Sequence, residues 1–97
     1  MIKSILWVTL LFLTLPAAAL DRETCESYAE LGESIMALRQ AGAPIETANE
    51  IVAGGPEAFE ELVKRIYTAP VLENKEKQKD LIKASYTKWL NECLSVI

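Results

Sequence analysis

The sequence predicts an all-α fold: a small up-and-down bundle of four helices, two long and two shorter, stapled by one disulfide. Three observations point to it. Apolar residues recur at steps of three and four through most of the chain. Gly-Pro and Pro punctuation divides that pattern into four segments joined by short connections. Finally, the only two cysteines, Cys25 and Cys93, fall near the outer ends of the first and last segments.

The pattern does not begin at the N-terminus. Lys3 precedes an apolar run from Ile5 to Leu15, and Pro16 precedes Ala17-Ala18-Ala19. This reads as a secretory signal peptide over residues 1–19, cleaved after Ala19, with a single helical domain over 20–97. The apolar run is shorter than the roughly 20 residues a spanning helix needs, so no stable membrane anchor is expected after cleavage. A domain of 78 residues has a thin core, and an oxidising compartment favours a disulfide to support it. The expected location is therefore periplasmic or secreted. Closing a loop of this length is worth ~4 kcal/mol in the chain-entropy model.

The first helix is predicted from about Glu23 to Ala41, capped by Asp21 or Thr24 and ended by Gly42. Cys25, Tyr28, Ala29, Gly32, Ile35, Met36 and Arg39 form its buried stripe, with Leu31 and Leu38 on one flank. Glu23, Glu26, Glu30 and Glu33 lie on the opposite side. Gly32 inside the stripe costs ~1 kcal/mol relative to alanine, and a close helix crossing is the expected reason for it.

A short second helix runs from Pro44 or Ile45 to Ala53, with Ile45, Ala48, Ile51 and Val52 apolar. Gly54-Gly55-Pro56 stops it, and Pro56 is placed at the first position of the third helix. Phe59, Leu62, Val63 and Ile66 make that helix's buried side, with Tyr67 beside it, and Pro70 ends the pattern at Ala69. Asn74 is the expected cap of the last helix. Its first turns are charged, and Ile82, Tyr86, Trp89, Cys93 and Val96 form a seam flanked by Leu81, Ser85, Leu90 and Leu94.

Charge is unevenly spread. Ten basic residues less Lys3 leave nine against fourteen acidic, a net charge of −5 for residues 20–97. Residues 20–61 hold ten acidic against two basic, and residues 62–97 seven basic against four acidic. The acidic half argues against nucleic-acid binding, and neutralisation between the two halves is the expected use of the asymmetry.

The chain has no histidine, and the disulfide takes both cysteines, which removes the usual triads, zinc sites and thiol nucleophiles. Gly54-Gly55-Pro56 lacks the lysine and hydroxyl residue of a phosphate loop. Glu57, Glu60 and Glu61 are close enough in a helix for paired acid–base chemistry, but they sit at a polar helix start. No enzyme activity, cofactor or metal is expected. The residues left as candidates for contact with another protein, a second copy included, are Glu26, Glu30 and Glu33 on the acidic face, Arg39 at the end of the first helix, and Tyr67.

The order Cys25, Ile35-Met36, Arg39-Gln40-x-Gly42-x-Pro44, Ile66-Tyr67-x-x-Pro70 and Cys93, behind a signal peptide, resembles a group of small exported two-cysteine helical proteins of bacterial and prophage genomes. The resemblance implies an origin and a fold and carries over no catalytic residues. Two other groups are similar in size, helicity and disulfide use. Periplasmic immunity proteins block secreted cell-wall toxins, and acid-stress periplasmic chaperones loosen when their carboxylates are protonated. The expected function is an exported, non-enzymatic protein acting through protein–protein contact, with these two groups as narrower alternatives.

Overall fold

The structure, a computed structural model, describes residues 21–96; the signal-peptide reading of residues 1–19 lies outside them. Four helices follow in order: α1 (Arg22–Gln40), α2 (Ile45–Val52), α3 (Glu57–Ile66) and α4 (Lys75–Leu94). There is no strand among the described residues, and the all-α, disulfide-closed bundle is confirmed.

Each boundary has a local cause. Asp21 caps α1 by accepting from the Thr24 amide at 2.8 Å, satisfying one of the free N–H groups of the first turn. The helix ends in a Schellman motif: the Ala43 amide bonds the Leu38 carbonyl and the Gly42 amide the Arg39 carbonyl, both at 3.0 Å. That geometry requires a left-handed residue, and Gly42 supplies it at φ 84°. After α2, Val52 to Gly55 make a type II turn, closed by a 3.0 Å bond from the Gly55 amide to the Val52 carbonyl, with Gly54 at φ 80°. Asn74 caps α4, accepting from the Glu76 and Lys77 amides at 2.7 and 3.3 Å.

Several expected positions shift. Pro56 is the N-cap of α3, one residue outside the helix. The helix stops at Ile66, three residues before Ala69, because Thr68 and Ala69 turn back onto the Arg65 and Ile66 carbonyls ahead of Pro70. Ile51 is 57% exposed: in an eight-residue helix, Ala48 and Val52 take the buried side and Ile51 falls beyond it. Val96 is 66% exposed because α4 ends at Leu94. The buried row of α4 is Ser85, Trp89 and Cys93, whereas Ile82 and Tyr86 are half-buried.

The long helices α1 and α4 run antiparallel and share the main interface; α2 and α3 pack against α1 and each other. Ala29, Ile35, Met36, Ala48, Val52, Leu62, Val63, Ile66 and Trp89 form one core. At one end of the long pair, Cys25 and Cys93 are bonded with their Cα atoms 5.5 Å apart, which joins residues 68 apart in sequence.

In the middle of the pair, the edge of the Trp89 ring rests on Gly32. A Cβ at position 32 stands 2.4 Å from Trp89 Cδ1 and 3.1 Å from Nε1. Helix crossing is thus the reason for the glycine, and its cost in helix propensity is offset by the close approach it permits. Gly32→Ala gains ~1 kcal/mol of propensity but must push the indole out of a packed site. We expect a net destabilisation of ~2 kcal/mol in urea denaturation. The loss should shrink in a Trp89→Leu background, and equal losses in both backgrounds would place the ring elsewhere.

Candidate functional site

Two groups of side chains stand out beyond the apolar core, and the first is internal. The α1 C-terminus meets the segment after α3 through Arg39, Gln40 and Tyr67. Arg39 Nε donates to the Ala69 carbonyl at 2.8 Å, and its guanidinium lies 5.3 Å from the centre of the Tyr67 ring. The Tyr67 hydroxyl donates to the Ala43 carbonyl at 3.0 Å. Gln40, only 4% exposed, donates through Nε2 to the Pro70 carbonyl at 2.9 Å and accepts the Leu72 amide on Oε1 at 2.8 Å. Gln78 then donates to the Leu72 carbonyl.

This clasp satisfies backbone groups of a loop that has no helical partners of its own. It also unites two stretches that stand apart in sequence, Arg39-Gln40 and Tyr67 to Pro70. Arg39 bonds a backbone carbonyl here, which holds its side chain within the fold. Two of the candidate contact residues, Arg39 and Tyr67, are therefore engaged within the fold. Gln40 was missed, although it continues the buried row of Met36 at a step of four.

A second cluster joins α3 to α4 on the side where α2 and α3 pack. Arg65 makes a two-pronged ion pair with Glu92, the second prong at 3.2 Å. The Arg65 guanidinium and the Lys88 ammonium lie 4.7 and 4.8 Å from the Trp89 ring centre. Nearby, Tyr28 of α1 tilts against Phe59 of α3, with ring centres 6.2 Å apart. The bond from Arg65 holds the Glu92 carboxyl below its usual range. Burial, with the Glu92 charge adding to it, raises the Tyr28 hydroxyl. Among the described residues Trp89 Nε1 has no acceptor, and it is buried with the ring edge closed against Gly32, a cost that the packing of the ring must offset.

Among the described residues, no helix packs on the opposite side of the α1–α4 pair. Residues two positions apart on a helix point ~160° away from each other, so Glu26 and Glu30 turn away from the flank on which Tyr28 meets α3. Glu33 continues their row at a step of three. By the same rule Leu90 turns away from Lys88 and Glu92, and it belongs to a row of half-buried Ile82, Tyr86, Leu90 and Leu94 at steps of four. Exposed Lys75, Lys79 and Lys83 extend this row toward the start of α4.

On this side Glu26 is paired with Arg22, whereas Glu30, Glu33, Lys75, Lys79 and Lys83 form no ion pair among the described residues. The ion pairs among the described residues are Arg22–Glu26 at 3.3 Å, Lys64–Glu61 at 3.7 Å and Arg65–Glu92. None joins a lysine of α4 to a carboxylate of α1, and Arg65–Glu92 lies within residues 62–97; between the two halves the ion pair is Lys64–Glu61, inside α3. Glu57, Glu60 and Glu61 are exposed at the start of α3. Among the described residues no three potential metal ligands gather, and no helix is long and apolar enough to cross a membrane. No protein-family model, curated protein or solved structure matches the chain.

The Arg65–Glu92 pair makes stability depend on pH. A carboxyl whose pKa is depressed in the folded state adds stability above its unfolded value, about 4.3, and that stability is lost as pH falls through the folded value. Glu92→Gln should lower the melting temperature slightly at pH 7 and leave no difference from the parent well below about pH 4. Thermal scans of both proteins across that range check this, and a constant difference would contradict it.

Proposed function

We propose that this chain is a small exported, non-enzymatic helical protein that acts through protein–protein contact, and that the contact face is the open side of the α1–α4 pair. The observation that carries this reading is the combination found there. A half-buried apolar row, Ile82, Tyr86, Leu90 and Leu94, lies beside charged residues, Glu30 and Glu33 on α1 and Lys79 and Lys83 on α4, that form no ion pair within the chain. Apolar residues rimmed by unpaired charge are the composition of an interface core and its rim. Export is part of the proposal, supported by the leader pattern of residues 1–19 and by the disulfide.

Docking as a rigid body fits these helices better than opening in acid. A disulfide, the Trp89–Gly32 packing and hydrogen bonds to backbone carbonyls hold the elements together. Protonation removes none of these. The one carboxylate contact between helices among the described residues, Arg65–Glu92, is exposed and worth at most about 1 kcal/mol. Of the two narrower readings, a blocking protein such as an immunity protein is therefore preferred to an acid-triggered chaperone.

The test is retention of a protein from the host's own periplasmic extract on the immobilised oxidised chain, with Glu30→Lys plus Glu33→Lys as the comparison. A partner held by the parent, released as salt rises and lost with the double variant supports the proposal. Equal retention by both, or retention of nothing, overturns it.

A further inference from the structure

α1 and α4 share the main interface, yet among the described residues no hydrogen bond or ion pair runs directly from one of these helices to the other. Apolar packing and the Cys25–Cys93 bond join them. The bond stands where that packing gives out. Cys25 is the one buried residue in the first two turns of α1, and Cys93 is the one buried residue of α4 beyond Trp89. Neither belongs to the apolar core, whose edge half-buried Tyr28 and Leu90 reach. The fold in turn closes over the bond: Cys25 is fully buried and Cys93 only 8% exposed. A thiolate can attack a disulfide only at a sulfur it reaches, so a reductant must wait for the helices to open.

Magnitude decides how much rests on this link. The bond joins residues 68 apart, and closing such a loop shifts the folding equilibrium by about a thousandfold in the chain-entropy model. The whole folding equilibrium of a domain this small is about 10³ to 10⁸. This chain belongs toward the lower end, because nine residues make its core, two of them alanines, and the buried indole N–H of Trp89 lacks an acceptor among the described residues. The share carried by the bond is then comparable with the whole.

We propose that the Cys25–Cys93 bond is a redox switch on folding itself: the oxidised chain folds and shields the bond, and the reduced chain is unfolded with both thiols exposed. In reduction a dithiol supplies two electrons and two protons. One of its thiolates attacks a cysteine sulfur and the other cysteine leaves as thiolate. The second thiol of the reductant then displaces the first cysteine, which leaves two free cysteine thiols and a cyclic disulfide. Oxidation by a small-molecule disulfide runs through the same kind of exchange in reverse. Each form favours its own persistence, since the folded state hinders reduction and the open chain gives an oxidant free access. Whether the surrounding compartment is reducing or oxidising then decides whether the fold exists, whatever the chain binds.

The test uses the purified protein with its disulfide closed, dithiothreitol as the dithiol, and mass spectrometry after alkylation to count free thiols. Reduction should be more than about a hundredfold slower in buffer than in concentrated urea at the same dithiothreitol concentration. Reduced chain transferred from urea to buffer, with dithiothreitol kept present, should lose its helical circular dichroism and show no cooperative thermal transition. Cys25→Ala with Cys93→Ala removes the bond without burying a hydroxyl and should behave in the same way. Transfer of the reduced parent to oxidised glutathione should restore the original melting curve, which separates switching from damage. Equal reduction rates in buffer and urea overturn the proposal, as does a reduced chain or double alanine variant that still melts cooperatively, or a failure to recover on oxidation.

Discussion

Where α1 crosses α4, the indole of Trp89 rests on bare backbone at Gly32, and this contact sets the separation of the two helices on which the other elements depend. No other residue type leaves room for the ring, since even one methyl group would stand 2.4 Å from it. The approach is held at both ends: by the Cys25–Cys93 bond on one side and by the Gln40 and Arg39 clasp on the other. A small domain has few large side chains with which to define a unique arrangement, and one ring fitted to one glycine supplies much of that definition. The cations over its face and the tie from Arg65 to Glu92 then place α3 against the same ring.

Much of this was legible in the residues. The four helices, the Asp21 and Asn74 caps, the stop at Gly42 and the purpose of Gly32 all follow from local rules: a cap needs a short side-chain acceptor, a left-handed turn needs glycine, and a glycine in an apolar stripe implies a close neighbour. What was not legible depends on tertiary neighbours. Periodicity placed Arg39 and Tyr67 on faces but did not show that the loop carbonyls of Ala69 and Ala43 would take up their polar ends. Ile51 and Val96 were assigned inward because their helices were read as longer or broader on the apolar side than they are. Charge totals for the two halves suggested pairing between them, yet totals carry no geometry. The acidic residues of α1 face away from α3, and the lysines that share their side of the pair form no ion pair with them.

The candidate contact residues divide along the same line. Arg39 and Tyr67 serve the fold, whereas Glu26, Glu30 and Glu33 lie along the open side of the long pair. Among the described residues nothing like the α2–α3 pair packs on that side, although its half-buried apolar row is continuous. The bundle is in this sense three-quarters enclosed, and the uncovered side is where the proposed protein contact falls.

If the α1–α4 pair holds the fold and α2 rides on it, native-state hydrogen exchange should resolve the two. Amides around the crossing, at Ile35 and Met36 in α1 and Ser85 and Trp89 in α4, should exchange slowest and only through global unfolding. Amides of the last turn of α2 should exchange through a smaller opening that leaves the long helices intact. Protection of α2 equal to or greater than that of the crossing would contradict this order and would place the organising contact elsewhere.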